Sequence, residues 1–240
     1  MVEGINTLFG RKGLAFQIDC GYWRKRKIEF WERMWEDLEI GYLDEDLLPV
    51  LIVFNLDKNV HTLSSCSGRI IISDSTYPWS REEGSIVFKK HYPIRVDEII
   101  DLYDKRVVRR LWINVTGPII HLSTTSIEMA EKILQLAREA GLKHSGVLSF
   151  SSDKGIILEL TSGVKMSHIL RTPTCDVTPR ELLPSLVEVA NTVLIQGKRV
   201  LARLFNVLHE SFPFNIDEYI EEDLKSRGIK VAELSFPYSL

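Results

Sequence analysis

The chain has 240 residues, more than the ~150 of a typical domain but within reach of one large one. At 45% hydrophobic and 26% charged, with a mean hydropathy of −0.02, it is excluded from the mostly disordered, collagen-like and membrane classes. Thirty Lys and Arg against 33 Asp and Glu leave a net charge of −3, so any nucleic-acid binding must come from local patches.

Taken in chain order, the first helix is expected over residues 20–41, capped by Asp19, with Tyr22, Ile28, Trp31, Met34, Trp35 and Leu38 as its apolar stripe. A second is expected over 45–54, with Asp44 as N-cap and Gly41 separating the two. From His61 the pattern changes to strands, at 70–72, 85–89 and 111–115, with a helix over 96–110 ending in the basic KRVVRR. A strand at 119–122 and a helix over 126–140 follow, the helix capped by Ser126, faced by Met129, Ala130, Ile133, Leu134 and Ala137, and ended by Gly141. Strands at 142–150 and 155–160, the loop RTPTCDVTPR, a long helix over 180–209 and an amphipathic tail at 216–227 complete the chain. Helices and strands mix without regular βαβ alternation, which predicts an α+β fold with a mixed β-sheet and packed helices, in a single domain over residues 1–240.

No apolar run approaches the ~18–20 residues of a membrane-spanning helix; the longest, residues 47–56, is interrupted by Pro49 and Asn55. The opening MVEGINTLFGRKG carries Glu3 and no apolar run, so no signal peptide is expected and the chain is read as cytoplasmic, with no membrane partner. Cys20, Cys66 and Cys175 are widely spaced and odd in number, which indicates neither a disulfide framework nor a metal site. GxGxxG, GxxxxGK[ST], HExxH and GxSxG are all absent.

The most unusual segment is HTLSSCSGRII, residues 61–71. Ser64, Ser65, Cys66, Ser67 and Gly68 offer hydroxyls, a thiol and backbone amides in one turn, and Arg69 adds a planar guanidinium, together a cradle for an anion or a polar ligand edge. The plain alternative is a Ser-rich hairpin turn. Cys66 is a nucleophile only if the fold brings His61, His91 or His121 to it. His121 ends an apolar strand in GPIIHL, and Lys89, Lys90 and His91 close another in GSIVFKKHYPI. Each has a plain reading too, as a hydrogen-bonded structural histidine and a solvated edge strand. Asp44, Glu45 and Asp46 complement a helix start, with a catalytic carboxylate as the sharper alternative. Basic stretches at 24–27, 105–110 and 198–203, near Trp23, Tyr103, Trp112 and Phe205, are candidate RNA contacts if they share one surface.

The order of these motifs resembles the tRNA wybutosine-synthesising protein 3 family. GYLDEDLLPVLIVFN is similar to its D-E-D-(I/L)-(I/L)-P-L-L stretch, and LSSCSGRI is the most specific element. GSIVFKKHYPI resembles its G-G-W-x-x-x-S-H segment; GPIIHL with the following helix and LKHSG, and then LVEVANTVLIQGKRVLARL, continue the likeness to about residue 205. The chain departs from the pattern at Ile86, where the family has Trp, at Lys90, where it has Ser, and over 114–118.

The resemblance implies an S-adenosyl-L-methionine-dependent methyltransferase without the common doubly wound, Rossmann-type fold. Its implied substrate is phenylalanine tRNA, methylated at N-4 of a wyosine-type tricycle derived from the guanosine 3′ of the anticodon. On that reading Ser64, Ser65, Cys66, Ser67, Gly68 and Arg69 bind cofactor or substrate. His121 and His91 contact the base or take its proton, with Asp44 or Asp46 orienting them. Direct transfer needs no covalent intermediate, so Cys66 has no catalytic role. The rival readings are a non-catalytic RNA- or protein-binding module and a Cys66-dependent hydrolase.

Overall fold

The computed structural model describes residues 18–80 and 83–237. The N-terminal stretch read above for a signal peptide lies outside them. Helix α1, Cys20–Glu39, starts where the Asp19 carboxylate accepts a hydrogen bond from the Tyr22 amide at 2.9 Å. Its buried face is Trp23, Lys27, Trp31 and Met34, rotated from the expected stripe, and Tyr22 is exposed. The rotation follows from Lys27, which sits on the apolar face because its ammonium meets Asp217 at 2.8 Å. The second expected helix divides into a 3₁₀ turn, Glu45–Leu47, and α2, Leu48–Asn55. Asp44 precedes the turn but makes no capping bond.

The strands are β1 (Val60–Cys66), β2 (Arg69–Asp74), β3 (Ser85–Lys90), β4 (Leu111–Thr116), β5 (Ile119–Thr124), β6 (Gly146–Ser151), β7 (Gly155–Thr161) and β8 (Lys165–Arg171). The remaining helices are α3 (Ile127–Glu139), α4 (Leu183–Ser211) and α5 (Glu218–Ser226). The α+β class holds. In place of one mixed sheet there are two antiparallel sheets, ordered β1-β5-β7-β6 and β3-β2-β4-β8.

The two sheets are continuous through three bent strands. Cys66 pairs with Ile119 and Arg69 with Thr116; Ile119 pairs with Thr161 and Thr116 with Lys165. The bend therefore crosses β1–β2 at 67–68, β4–β5 at 117–118 and β7–β8 at 162–164. SSCSGR is accordingly not a hairpin turn: its first half belongs to one sheet and Arg69 to the other. Gly68 makes the bend possible, with φ +106° and room for no side chain, since a Cβ there would stand 2.7 Å from the Thr116 carbonyl oxygen.

Helix α4 crosses the bend, and its 29 residues span about 43 Å. Its first half (Leu183, Val187, Ala190, Leu194) joins Ile70, Ile72, Ile113 and Val115 in one core, and its second half (Val200, Leu201, Leu204, Leu208) joins Ile120, Leu122, Ile156 and Leu158 in another. The expected helix over 96–110 is replaced by short 3₁₀ turns, Val96–Glu98 and Ile100–Tyr103. The Asp74 carboxylate accepts bonds from the Val108 and Arg109 amides at 2.6 and 2.8 Å, which takes those amides away from any helix. Strand β8, which the sequence left unassigned, completes the second sheet. Among the described residues no helix is long and apolar enough to cross a membrane.

Candidate active site

Strand β1 is an edge of the first sheet, while beyond the bend β3 pairs along β2, and the residues after α1 and after β3 meet beside the bend. Asp44 comes from the α1 side. One carboxylate oxygen accepts from the Ser67 amide at 2.9 Å and the Ser67 hydroxyl at 3.0 Å; the other lies 2.8 Å from His91 Nδ1. Burial would push the Asp44 carboxyl up, but the hydrogen bonds from His91 and Ser67 outweigh it and hold it below the usual range. Asp44 in turn raises His91 to about 9, with Cys66 adding to the shift and partial burial opposing it. His91 is therefore a cation and a hydrogen-bond donor at neutral pH.

Behind this pair lies a buried ion pair. Lys198 of α4 reaches Asp46 Oδ2 at 2.5 Å and also donates to the Ser67 hydroxyl, which bridges it to Asp44. Asp46 Oδ1 is buried without a hydrogen-bond partner. The Tyr92 ring, 43% exposed, covers the Lys198 ammonium at 5.7 Å.

Cys66 Sγ is 3.9 Å from the same His91 Nδ1 that Asp44 holds more closely, so that nitrogen is not free to act as a base toward the thiol. Asp44, Cys66 and His91 do present three donor atoms within 4.8 Å of one another, a set the cysteine spacing did not reveal, and hydrogen bonds engage them with one another.

The other predicted residues distribute along β1. His121, in the middle of β5, places Nδ1 3.0 Å from the Ser64 carbonyl oxygen and Nε2 3.0 Å from the Glu159 carboxylate of β7. Ser64 and Cys66 alternate onto one face of β1, so the His121 and His91 clusters stand about 7 Å apart along the strand. They have no bond between them. Ser64 and Ser65 also line a cavity of about 270 Å³ against Phe30 and Tyr42. Ser67 and Gly68 are buried and shape the wall. Arg69 faces a different cleft, lined by none of the Asp44, Cys66 or His91 cluster. Asp46 does not orient a histidine: Lys198 takes its Oδ2, and its Oδ1 meets no hydrogen-bond partner. His61 is fully buried between Trp23 and Phe30, away from Cys66.

Of the three basic stretches, Lys27 and Lys198 are 0% exposed and engaged with carboxylates, so they contact no RNA. Lys198, Tyr92 and Glu159 are the site residues that sequence reasoning missed. Lys198 had a signal, for it falls on the α4 stripe of Leu194, Leu201 and Phe205, where only a paired charge is tolerated.

The fold is thus an α+β enzyme scaffold of two antiparallel sheets, with a polar notch at the bend and no doubly wound nucleotide site. Residues 25–210 match the family described as Methyltransferase TYW3, and the chain belongs to that family. Over 190 residues it is 42% identical to a Saccharolobus solfataricus protein named tRNA(Phe) 7-((3-amino-3-carboxypropyl)-4-demethylwyosine(37)-N(4))-methyltransferase, covering 79% of this chain and 90% of that one. A protein of the same name from Aeropyrum pernix is 33% identical, with 79% and 96% covered. A solved structure of a Pyrococcus horikoshii protein superposes with a TM-score of 0.72 at 29% identity, covering 79% of this chain and 97% of that one. Membership implies a methyl donor.

Proposed function

We propose that this chain, acting in the cytoplasm as one domain, methylates N-4 of a 4-demethylwyosine-type base beside the anticodon of phenylalanine tRNA, with S-adenosyl-L-methionine as donor. The observation that carries the reading is the 42% identity over 190 residues to a relative of that name, beside a family match over residues 25–210 that includes every notch residue. The cofactor, when bound, supplies an electrophilic methyl group on a sulfonium. Its two cationic centres fit the notch, where Asp44, Glu45 and Asp46 cluster beside the Tyr92 ring and Asp46 keeps an unpartnered buried oxygen.

Transfer to a ring nitrogen requires alignment and, where the nitrogen carries one, removal of a proton. Ser64 and Cys66 present the cofactor-facing side of β1. His91, kept cationic by Asp44, donates a hydrogen bond to an acceptor on the base. The proton passes to the His121–Glu159 pair. Ser67 and Lys198 hold Asp44 and Asp46 in place.

Titrating the purified protein with S-adenosyl-L-methionine by calorimetry, followed by transfer to phenylalanine tRNA bearing the N-4-demethylated base, tests the reading. Saturable binding and methylated product are expected. No binding, with or without the tRNA, would leave a non-catalytic RNA-binding module.

A further inference from the structure

We propose that a second cleft, on the outer face of the β3-β2-β4-β8 sheet, receives one unpaired nucleotide of an RNA, its base stacked on Trp79 and its phosphate held by Arg69 and Lys165. The inference deepens the function proposed above and rests on it for the identity of the RNA.

The cleft has a volume of about 570 Å³. Strand register builds its floor: Arg69, Thr116 and Lys165 form one cross-strand row, and Ile71, Asn114 and Ser167 the next. One wall is Pro78, Trp79 and Ser80 after β2, with 74% of the Trp79 surface exposed. The indole stacks on Tyr77 with centroids 5.2 Å apart and planes 4° from parallel, which leaves its other face for a ligand.

This aromatic pair sits on an ordered base. The Ser75 hydroxyl and the Ser80 amide donate to the Tyr77 carbonyl oxygen at 2.9 and 3.1 Å, and Arg110 donates to the Thr76 carbonyl oxygen at 2.6 Å while lying 6.0 Å from the Tyr77 ring.

Three features choose the occupant. Arg69 and Lys165 form no ion pair with any described residue, and among the described residues no carboxylate lines the cleft. Asn114 Oδ1 is buried without a hydrogen-bond partner, an acceptor waiting for an amine or hydroxyl donor. An open indole face beside two free cations suits a stacked base and its phosphate. The sulfonium and ammonium of the cofactor find no carboxylate among the described residues here, whereas the notch carries the exposed Glu45 and the unpartnered Asp46 Oδ1. The negative chain thus presents the local positive patch that RNA requires.

The probes are an unmodified anticodon stem-loop of phenylalanine tRNA sequence and a fully paired hairpin of equal length. We expect Trp79→Ala to weaken stem-loop binding about tenfold, the scale of one lost base stack, and Trp79→Phe to keep most of it. Arg69→Ala and Lys165→Ala should each reduce the slope of log affinity against log salt by about one. Calorimetric binding of S-adenosyl-L-methionine should be unchanged in all four variants. Wild-type RNA affinity in Trp79→Ala overturns the proposal, as does wild-type protein that binds neither RNA. Loss of cofactor binding with RNA binding intact overturns it too and assigns the cleft to the cofactor. A chain that binds the stem-loop through Trp79 yet transfers no methyl group would instead overturn the methyltransferase reading.

Discussion

Lys198 Nζ stands 2.5 Å from Asp46 Oδ2, with the lysine side chain 0% and the aspartate 3% exposed, and the pair ties the middle of α4 to the turn that carries Asp44. Removing one partner of such a pair strands the other charge in a dry interior. Lys198→Met is expected to lower unfolding stability by roughly 3–5 kcal/mol in urea titration, and the double variant Lys198→Met/Asp46→Leu to recover much of the loss. The double variant should still be inactive, because Ser67 loses the ammonium that helps to hold it against Asp44.

The Asp44–His91 contact sets a second expectation. His91 is raised from 6.5 to about 9, chiefly by the Asp44 hydrogen bond, and Asp44 is lowered from 3.8. The stabilisation from His91 is fully present below pH 6.5 and is lost as pH rises through about 9. That from Asp44 is present above pH 3.8 and is lost as pH falls through its lowered value. An NMR titration should find His91 half-protonated near pH 9, and Asp44→Asn should return it toward 6.5. An unshifted His91 in the wild type would remove its role as a cationic donor.

Much of this site was legible in the sequence as a set of residues, and little of it as a geometry. Asp44, Cys66 and His91 stand out from turn chemistry and strand ends, but their convergence needs the bend at Gly68, which takes β1 and β2 into different sheets. Local patterning cannot distinguish such a bend from a hairpin, because both demand Gly after small polar residues. Period-based reading failed where a charge lay on an apolar stripe: Lys27 rotated the face of α1, and Lys198 hid in that of α4. The helix over 96–110 failed for a different reason, a competing side chain, since Asp74 from another strand takes two of its amides.

His121 and Glu159 carry the proton in the reading above. His121→Ala is expected to lower the rate of transfer by on the order of 10²–10⁴, the usual range for a general base, while cofactor and tRNA binding stay near wild type. Single-turnover transfer measured beside equilibrium binding separates the two. An equal loss in binding would reduce His121 to a structural residue that fixes the Ser64 carbonyl.

Where α4 crosses the bend, a Cβ on Gly197 would lie 2.9 Å from the Gly117 Cα, which is backbone and does not yield as a side chain tip does. Gly197→Ala should therefore cost about 1–3 kcal/mol, the range for overpacked sites, even though alanine favours helices. Because the helix must lift, Lys198 moves with it, and cofactor binding should weaken along with stability. Denaturant midpoints and calorimetry on the one variant check both; an alanine that stabilises the fold would show that α4 is not seated on the bend.

His61 supplies an acid-sensitive element remote from the chemistry. Its side chain is fully buried, with Nδ1 3.2 Å from the Thr62 carbonyl oxygen, Nε2 without a partner, and its ring against Trp23 and Phe30. Burial lowers it from 6.5 to about 4, and Lys27 and Arg26 add to the effect. The folded state thus keeps His61 neutral while the unfolded chain takes up a proton below pH 6.5. Its stabilisation is complete above pH 6.5 and declines as pH falls toward 4, by up to about 3 kcal/mol at about 1.4 kcal/mol per pH unit. Replacing His61 with glutamine should flatten the stability profile between pH 6.5 and 4 in urea titrations, at some cost in stability at neutral pH. A wild-type profile that is already flat over that interval would refute the assignment of a neutral, buried His61.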